Sequence, residues 1–391
     1  MQELPVFVFI FSDCTGGVAS FNRNLINHTS LSSACKVKVI LIKPEEDKRT
    51  PFTDKMRGEV IHFNFSSLEN QFHVLHRLYA LIGNENGCII TDNALVLNAV
   101  SLFGKTKRLI YLVHDYFYVN AALSFANLID AAVAHSTFFR DVLLAAAVTE
   151  YQTKAFFLPY GVELPSVAWQ KQRAGETLRL IFLGRLVEEK GVLLLKQIDE
   201  NLRATGTQAE WTIMGTGPLL AQLKESWSNT DAVKFVQAKD GAEVYKTLEE
   251  HDVLVFPSQF EGTPVSIMEA ISRGVVPVVS DLPGGTRDMV TDGIGFLCGT
   301  RNVEEYANAI RILDQNRQEL HLLQQGCLRK ARESYDIRKA SDAYFTFFFN
   351  QMKTPLKTNN GSPIHLSRLD SRYLPNSFVR AFRKAKQKIG W

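Results

Sequence analysis

Phe256-Pro-Ser-Gln-Phe-Glu-Gly-Thr-Pro-Val-Ser-Ile-Met-Glu-Ala270 lies between two apolar runs, Val253–Phe256 and Val275–Val279, that read as buried strands. Between them the spacing predicts a loop through Gly262 and then a helix. Thr263 is the expected N-cap, Pro264 the first helical residue and Gly274 the stop. The strand, helix and strand frame two carboxylates, Glu261 in the loop and Glu269 about a turn and a half into the helix. Free amides at a helix N-terminus attract phosphate. A carboxylate beyond them only accepts hydrogen bonds, which suits a sugar hydroxyl. The pattern points to a ligand that carries both.

The rest of the second half repeats the same alternation. Strands at Leu178–Leu183, Trp211–Met214 and Val233–Val236 are separated by helices at Lys190–Arg203, Pro218–Trp227 and Gly241–His251. Two more helices follow, at Val303–Asn316 and Gln318–Ser334, and Asp336–Met352 reads as an aromatic helix that packs on protein. The first half alternates in the same way. Its strands are Pro5–Phe11, Lys36–Ile42, Val60–Asn64, Cys88–Thr91, Arg108–Val113, Asp130–Ala134 and Ala155–Leu158, with helices from Val18, Leu68–Ile82, Ala94–Phe103 and Ser136–Val148. Such alternation argues doubly wound parallel sheets, whose ligands bind beyond the carboxyl ends of the strands. Gly16, Gly17 and His114 stand at such ends. The expected organisation is a first domain over 1–164, a polar linker at 165–177, a second domain over 178–335, the helix 336–352 docking back toward the first domain, and a tail over 353–391.

A chain of 391 residues has room for two such cores. The 46% hydrophobic and 22% charged content is that of a soluble globular protein. The tail holds nine Lys or Arg and only Asp370 as an acid. The preceding chain, with 35 basic and 40 acidic residues, therefore carries a net charge of −5, which does not suggest nucleic-acid binding. Cys14, Cys35, Cys88, Cys298 and Cys327 are odd in number and scattered, against a disulfide framework or structural zinc. The start lacks a signal peptide's basic region, and no apolar run approaches the ~20 residues that span a bilayer. The expected compartment is the cytoplasm, and the sequons at Asn27, Asn64 and Asn360 read as chance matches. Within 375–391, Phe378, Val379, Phe382, Ala385 and Ile389 recur at helical spacing among Arg and Lys. That is a basic amphipathic helix with two uses left open. One is to lie on an anionic membrane, at the inner face of the plasma membrane. The other is to dock its apolar stripe on the body and keep its charges in water.

Gly184-Arg-Leu-Val-Glu-Glu-Lys-Gly191 and the Glu261–Glu269 stretch resemble the two motifs of family 4 glycosyltransferases, the "glycosyl transferases group 1" type, which have the GT-B fold. Gly16-Gly-Val, His114, Pro159-Tyr-Gly-Val and Gly215-Thr-Gly-Pro fall in the family's order, and the resemblance runs from about Val6 to Tyr335. It implies an α/β architecture of two Rossmann-like, doubly wound parallel-sheet domains facing a cleft, with a C-terminal helical extension. It implies retaining transfer of a sugar from a nucleoside-diphosphate sugar, such as a UDP- or GDP-sugar, to a glycan or lipid-linked saccharide acceptor, as in bacterial cell-surface polysaccharide synthesis. No cofactor and no metal are expected, consistent with the absence of an Asp-x-Asp pair.

By the same resemblance Arg185 and Lys190 hold the donor's phosphates, Arg as a fork and Lys as a point charge. Otherwise they pair with Glu188 or Glu189. Glu269 receives the ribose hydroxyls; the alternative is a helix-surface pair with Arg273. Glu261 lies against the transferred sugar, and Gly262, Thr263, Pro264 and Val265 line the sugar and distal phosphate. Gly16 and Gly17 let the first domain's backbone approach the phosphates. His114 reaches the donor sugar, or is a histidine satisfied at its strand end, and Asp115 either orients it or caps the next helix. The sequence departs from the family where Tyr160 replaces the commoner Asn and Thr263-Pro264-Val265 the commoner Phe-Gly-Leu, positions that bear on which sugar is used. Two other functions share the motifs: a nucleotide-sugar epimerase, and a non-catalytic binding partner.

Overall fold

The computed structural model describes residues 3–14, 16–52, 55–146, 154–166, 171, 177–354, 356 and 366–389. Most of the expected linker, the sequon at Asn360, the end of the helix expected through Val148 and Trp391 lie outside the described residues. The chain divides into two compact units. One comprises the chain up to His135, Phe139–Leu158 and everything from Arg338 onward; the other comprises Ser136–Phe138 and Pro159–Ile337.

In chain order the first sheet and its helices are β1 (Val6–Ser12), α1 (Gly17–His28), β2 (Lys36–Pro44), β3 (Glu59–Phe65), α2 (Gln71–Ile82), β4 (Gly87–Thr91), α3 (Ala94–Phe103), β5 (Arg108–Val113), α4 (Tyr116–Ser124), β6 (Ala131–Ala134), α5 (Thr137–Ala145) and β7 (Ala155–Phe157). The second sheet and its helices are β8 (Leu178–Leu183), α6 (Leu194–Ala204), β9 (Ala209–Met214), α7 (Leu220–Ser226), β10 (Val233–Val236), α8 (Gly241–Glu249), β11 (Val253–Phe256), α9 (Val265–Ser272), β12 (Val276–Ser280), α10 (Gly285–Met289), β13 (Phe296–Cys298), α11 (Val303–Gln315) and α12 (Arg317–Ser334). Helices α13 (Ile337–Met352) and α14 (Asn376–Ile389) follow.

The strand orders are β3-β2-β1-β4-β5-β6-β7 and β10-β9-β8-β11-β12-β13, with parallel pairing throughout. Each sheet therefore reverses its direction of winding once, between β1 and β4 in the first and between β8 and β11 in the second. At those points neighbouring strands send their connections to opposite sides, and the diverging loops leave a crevice at the carboxyl ends.

Burial follows from the topology. A parallel strand covered on both faces is apolar at every position, not at alternate ones. Thus Val6 to Phe11 of β1 and all of β11 and β12 are buried. The α13 aromatics sit on the first sheet. Phe7 meets Phe345, Phe348 and Phe349 with ring centroids 5.8, 5.8 and 5.0 Å apart, and Phe9 meets Phe345 and Phe348 at 6.0 Å. Each fully buried ring of this kind contributes about 1.5–3 kcal/mol through lost apolar surface.

Three local expectations are corrected. Pro264 is the N-cap of α9 and not its first residue, and Thr263 caps nothing. Lys190 does not open a helix: Glu188–Lys190 form one 3-10 turn, closed by Gly191 in a left-handed conformation at φ 66°, and α6 starts only at Leu194.

Candidate active site

The second unit's switch point is built from two loops held by backbone hydrogen bonds. After β8, Gly184 N–H donates to the Met214 carbonyl at 3.0 Å and Leu186 N–H to Thr216 at 2.8 Å. A Cβ on Gly215 would stand 1.8 Å from the Gly184 oxygen, so only glycine permits this approach. Further on, the Glu189 carbonyl accepts from Gln259 N–H at 2.8 Å and from the Ser258 hydroxyl at 3.2 Å. A Cβ on Gly191 would fall 1.9 Å from the Pro257 oxygen. The two motifs separated by some 70 residues are thus stitched into one rigid rim, and the side chains they carry are fixed by backbone.

On that rim Lys190 Nζ donates to Glu261 Oε1 at 2.5 Å and lies 5.7 Å from the centre of the Phe256 ring. Both groups are mostly covered, with side-chain exposures of 17% and 6%. The expected rival pairing of Lys190 with its own neighbours Glu188 or Glu189 is replaced by this longer-range one. Arg185 is exposed, and its guanidinium has no ion pair among the described residues. After β11 the chain runs through Gly262, Thr263 and Pro264 into α9. Its first intrahelical bond is Ile267 N–H to the Pro264 carbonyl at 3.1 Å, so the amides of Val265 and Ser266 precede the ladder. The Thr263 hydroxyl is buried with no hydrogen-bond partner among the described residues. The loop is braced from α10, where Gly285 N–H donates to the Gly262 carbonyl at 2.9 Å.

Glu269 is half-buried near Tyr245, whose phenol is pushed up by burial first and then by the Glu269 carboxylate. Arg273 lies 4.0 Å over the Tyr245 ring, pairs with Glu249 at 3.2 Å and donates to the Glu163 carbonyl at 2.7 Å. Arg287 pairs with Asp281 at 2.6 Å on the surface. Tyr160 is buried, and the following Val162 donates its N–H to the Tyr335 carbonyl at 2.8 Å.

The first unit's strand ends gather a different group. Gly16 is the N-cap of α1, and Gly16 and Gly17 are exposed. At the end of β5, His114 is buried and its Nε2 lies 3.2 Å from Asp92 Oδ2, just past β4. A carboxylate only accepts, so Nε2 carries the proton in this contact. His135, past β6, stacks on His114 with ring centres 4.7 Å apart. Tyr344 of α13 donates its hydroxyl to the Leu158 carbonyl at 2.7 Å, and the same oxygen lies 2.7 Å from His135 Nδ1, which is therefore the donor. Burial first, then His114, holds the His135 imidazole well below its ordinary range, so it is neutral near pH 7. Phe21 and Tyr118 close the sides of His114 at 5.9 and 4.8 Å.

Sequence reasoning offered Asp115 as the orienting acid for His114. In the structure Asp115 caps α4, accepting from Phe117 N–H at 2.7 Å, and Asp92 faces the imidazole instead. Asp92, His135 and Tyr344 were not singled out beforehand. The signal that finds the first two is their position, since each is the first or second residue past a buried parallel strand. Among the described residues no group of three or more His, Cys, Asp or Glu is arranged to hold a metal ion. No helix among them is long and apolar enough to cross a membrane.

Comparison with known proteins bears on this geometry. Residues 167–326 match the glycosyl transferases group 1 family. The amylovoran biosynthesis glycosyltransferase of Erwinia amylovora is 32% identical over 150 residues, 36% of this chain and 37% of that protein. The chain thus matches little more than a third of that curated relative's length. Among solved structures, the Anabaena protein HepE in complex with UDP and glucose superimposes with a TM-score of 0.67 at 16% identity, covering 89% of this chain and all of the other. Sucrose-phosphate synthase from Thermosynechococcus elongatus gives a TM-score of 0.70 at 15% identity over 89% of this chain and 99% of the other. The fold is GT-B, and residues 167–326 are a glycosyl transferases group 1 domain.

Proposed function

We propose that this protein is a retaining, metal-independent glycosyltransferase that moves a sugar from a nucleoside-diphosphate sugar to a glycan or lipid-linked saccharide in bacterial cell-surface polysaccharide synthesis. The observation that carries the reading is the Lys190–Glu261 contact, with exposed Arg185 on the same loop as Lys190, at the switch point of the second sheet. A diphosphate arriving there draws Lys190 from Glu261, because it offers more negative charge and Arg185 already favours it. Glu261 is then released to accept from sugar hydroxyls. The amides of Gly262, Thr263 and Val265 and the Thr263 hydroxyl complete the contacts to sugar and distal phosphate, with Pro264 fixing the loop. Glu269 receives the ribose. His114, with its tautomer set by Asp92, orients a sugar hydroxyl, and Gly16 and Gly17 allow close backbone approach to phosphate. The UDP and glucose of the Anabaena neighbour and the amylovoran role named for the Erwinia relative favour this choice of substrates.

In the reaction the bond from anomeric carbon to phosphate oxygen breaks, its electron pair leaving with the phosphate. The acceptor oxygen bonds the same face of the sugar, and its proton passes to the departing phosphate. Arg185 and Lys190 take up the charge that develops, which is where preorganised electrostatics contribute most.

The test is turnover of UDP-, GDP- and ADP-sugars with and without a pool of lipid-linked saccharides, read as free nucleoside diphosphate and as glycosylated product. Acceptor-dependent product that persists in EDTA is expected. Conversion of the sugar with donor alone identifies an epimerase, and tight donor binding without turnover identifies a binding protein; either result overturns the proposal.

A further inference from the structure

An amphipathic helix on a globular protein normally turns its apolar stripe toward the core. Helix α14 does the opposite. It is fixed to the first unit through polar groups on one side. Asn376 Oδ1 accepts from Asn70 N–H at 2.8 Å while its amide donates to Glu69 Oε2 at 2.8 Å. Arg383 bonds both oxygens of Asp370 at 2.9 Å and the Glu69 carbonyl, and Arg380 pairs with Glu45 at 3.1 Å. Asp370 in turn accepts from the first amide of α2, Gln71 N–H, at 2.7 Å. Val379 is the one apolar residue of the sequence-predicted stripe that the described side chains bury. Phe378 and Phe382 remain 54% and 48% exposed, and Ala385 is exposed with them.

The charges divide in the same way. Arg380 and Arg383 are neutralised by acids of the body, whereas Lys384 and Lys386 are exposed, with no ion pair among the described residues, and Lys386 follows Phe382 at i+4 beside the aromatic stripe. Residues 376–389 contain no acid at all. Tyr373, in the turn that leads into the helix, is 76% exposed with Arg372 over its ring at 4.6 Å. Two phenylalanines and a tyrosine exposed on a docked helix and the turn before it, with exposed cations and no acid on that helix, match the interfacial zone of a bilayer. Rings sit there at headgroup depth, and each Lys adds attraction to anionic lipid. A protein partner of the same apolar fit would not require a helix of five cations and no acid.

We infer that α14 is a peripheral anchor, docked on the first unit by its polar side and entering the surface of an anionic phospholipid bilayer through Phe378 and Phe382, with the exposed Lys384 and Lys386 drawn to its anionic headgroups. Docking on the body and lying on a membrane are then two sides of one helix. The inference is independent of the sugar chemistry, and its failure leaves the transferase reading untouched.

The experiment is co-sedimentation of the full chain with vesicles of equal parts phosphatidylglycerol and phosphatidylcholine, against vesicles of phosphatidylcholine alone. Binding to the anionic vesicles, weakened by raising the salt, is expected. The double variant F378S/F382S should bind at least tenfold more weakly, and K384Q/K386Q up to about 25-fold, at roughly fivefold for each cation near the surface. Both variants alter only exposed side chains, so an unchanged melting temperature controls for folding. Arg383→Gln should raise protease sensitivity of α14 while leaving vesicle binding, which separates the docked side from the anchoring side. Equal binding by wild type and F378S/F382S, or no preference for phosphatidylglycerol, overturns the inference. So does a wild-type dimer in light scattering that F378S/F382S converts to monomer, which would make the stripe a contact between copies of the chain.

Discussion

The first six strands of the two sheets share one order and each sheet carries polar groups at the carboxyl ends of its strands, yet the groups are assembled in opposite ways. In the second unit, Gly184–Gly191 and Phe256–Ala270 each bring several residues in one continuous stretch, and backbone hydrogen bonds between the loops fix them. In the first unit, Asp92, His114 and His135 come from three separate strands, and the hydroxyl that sets the His135 tautomer arrives on α13, more than 200 residues later. A site made from contiguous loops tolerates change elsewhere in its unit. A site made from strand ends depends on the packing of the whole sheet.

The largest effect expected from this contrast is on stability. Phe348→Ala removes a fully buried ring from between α13 and β1 and should cost about 3–5 kcal/mol in chemical denaturation. Because α13 also carries Tyr344, the same variant should disturb the first unit's histidine cluster, read by NMR of the imidazoles, and leave donor affinity in the second unit near wild type. Loss of donor affinity as large as the loss of stability would break the comparison.

Next comes Arg185→Ala, which deletes an exposed side chain from a loop held by backbone. Turnover should fall by about 10²–10³-fold, the usual cost of one preorganised charge-stabilising donor, with a melting temperature within a degree or so of wild type. A stability loss instead of an activity loss would show that Arg185 serves the fold.

Asp92→Asn tests the first unit's site. The amide still fits beside His114 but no longer enforces a proton on Nε2. Turnover should drop about 10- to 100-fold, the range of one hydrogen bond to a charged group, while affinity for nucleoside diphosphate alone is kept. An Asp115→Asn control, at the α4 cap, should lose stability by about 1 kcal/mol or less and no more.

Smaller still is a pH effect. His135 is depressed in the folded protein, so the unfolded chain binds a proton below its ordinary 6.5 that the folded chain refuses. Stability contributed by neutral His135 is therefore full above pH 6.5 and is lost as pH falls below it, at up to about 1.4 kcal/mol per pH unit. His251 in the second unit is depressed too, by burial first, and adds in the same direction. His135→Gln should flatten the slope of melting temperature between pH 7 and 5.5 more than any exposed histidine substitution does.

How much of this was legible in the sequence follows the same division. The alternation of apolar runs with amphipathic stretches marked both parallel sheets, and the strand-end rule drew attention to Gly16, Gly17 and His114. Glu261 was marked by its place between a strand and a helix, and Arg185 and Lys190 only by the family resemblance. Lys190 and Glu261 come from different motifs, and their pairing is set by loop geometry that spacing does not reveal. The helix expected from Lys190 failed because Gly191, in a left-handed turn against the Pro257 carbonyl, stops the chain from continuing as α-helix. Asp92 and His135 escaped notice because a lone acid or histidine past a strand has no periodicity. For α14 the stripe was visible but not the side that faces the body, since Glu69, Asp370 and Asn376 meet only in the folded chain.

One feature of the fold bears on how it is made. The first unit contains the chain's opening residues and its last described helices, with the second unit inserted between them. During synthesis Phe7 and Phe9 emerge early, but the rings that cover them, Phe345 and Phe348, leave the ribosome more than 330 residues later. The second unit, which is continuous from Pro159 to Ile337 apart from three residues, has all its strands available sooner. The first sheet, translated ahead of the second, is thus completed after it, and through that interval its apolar face lacks the helix that covers it.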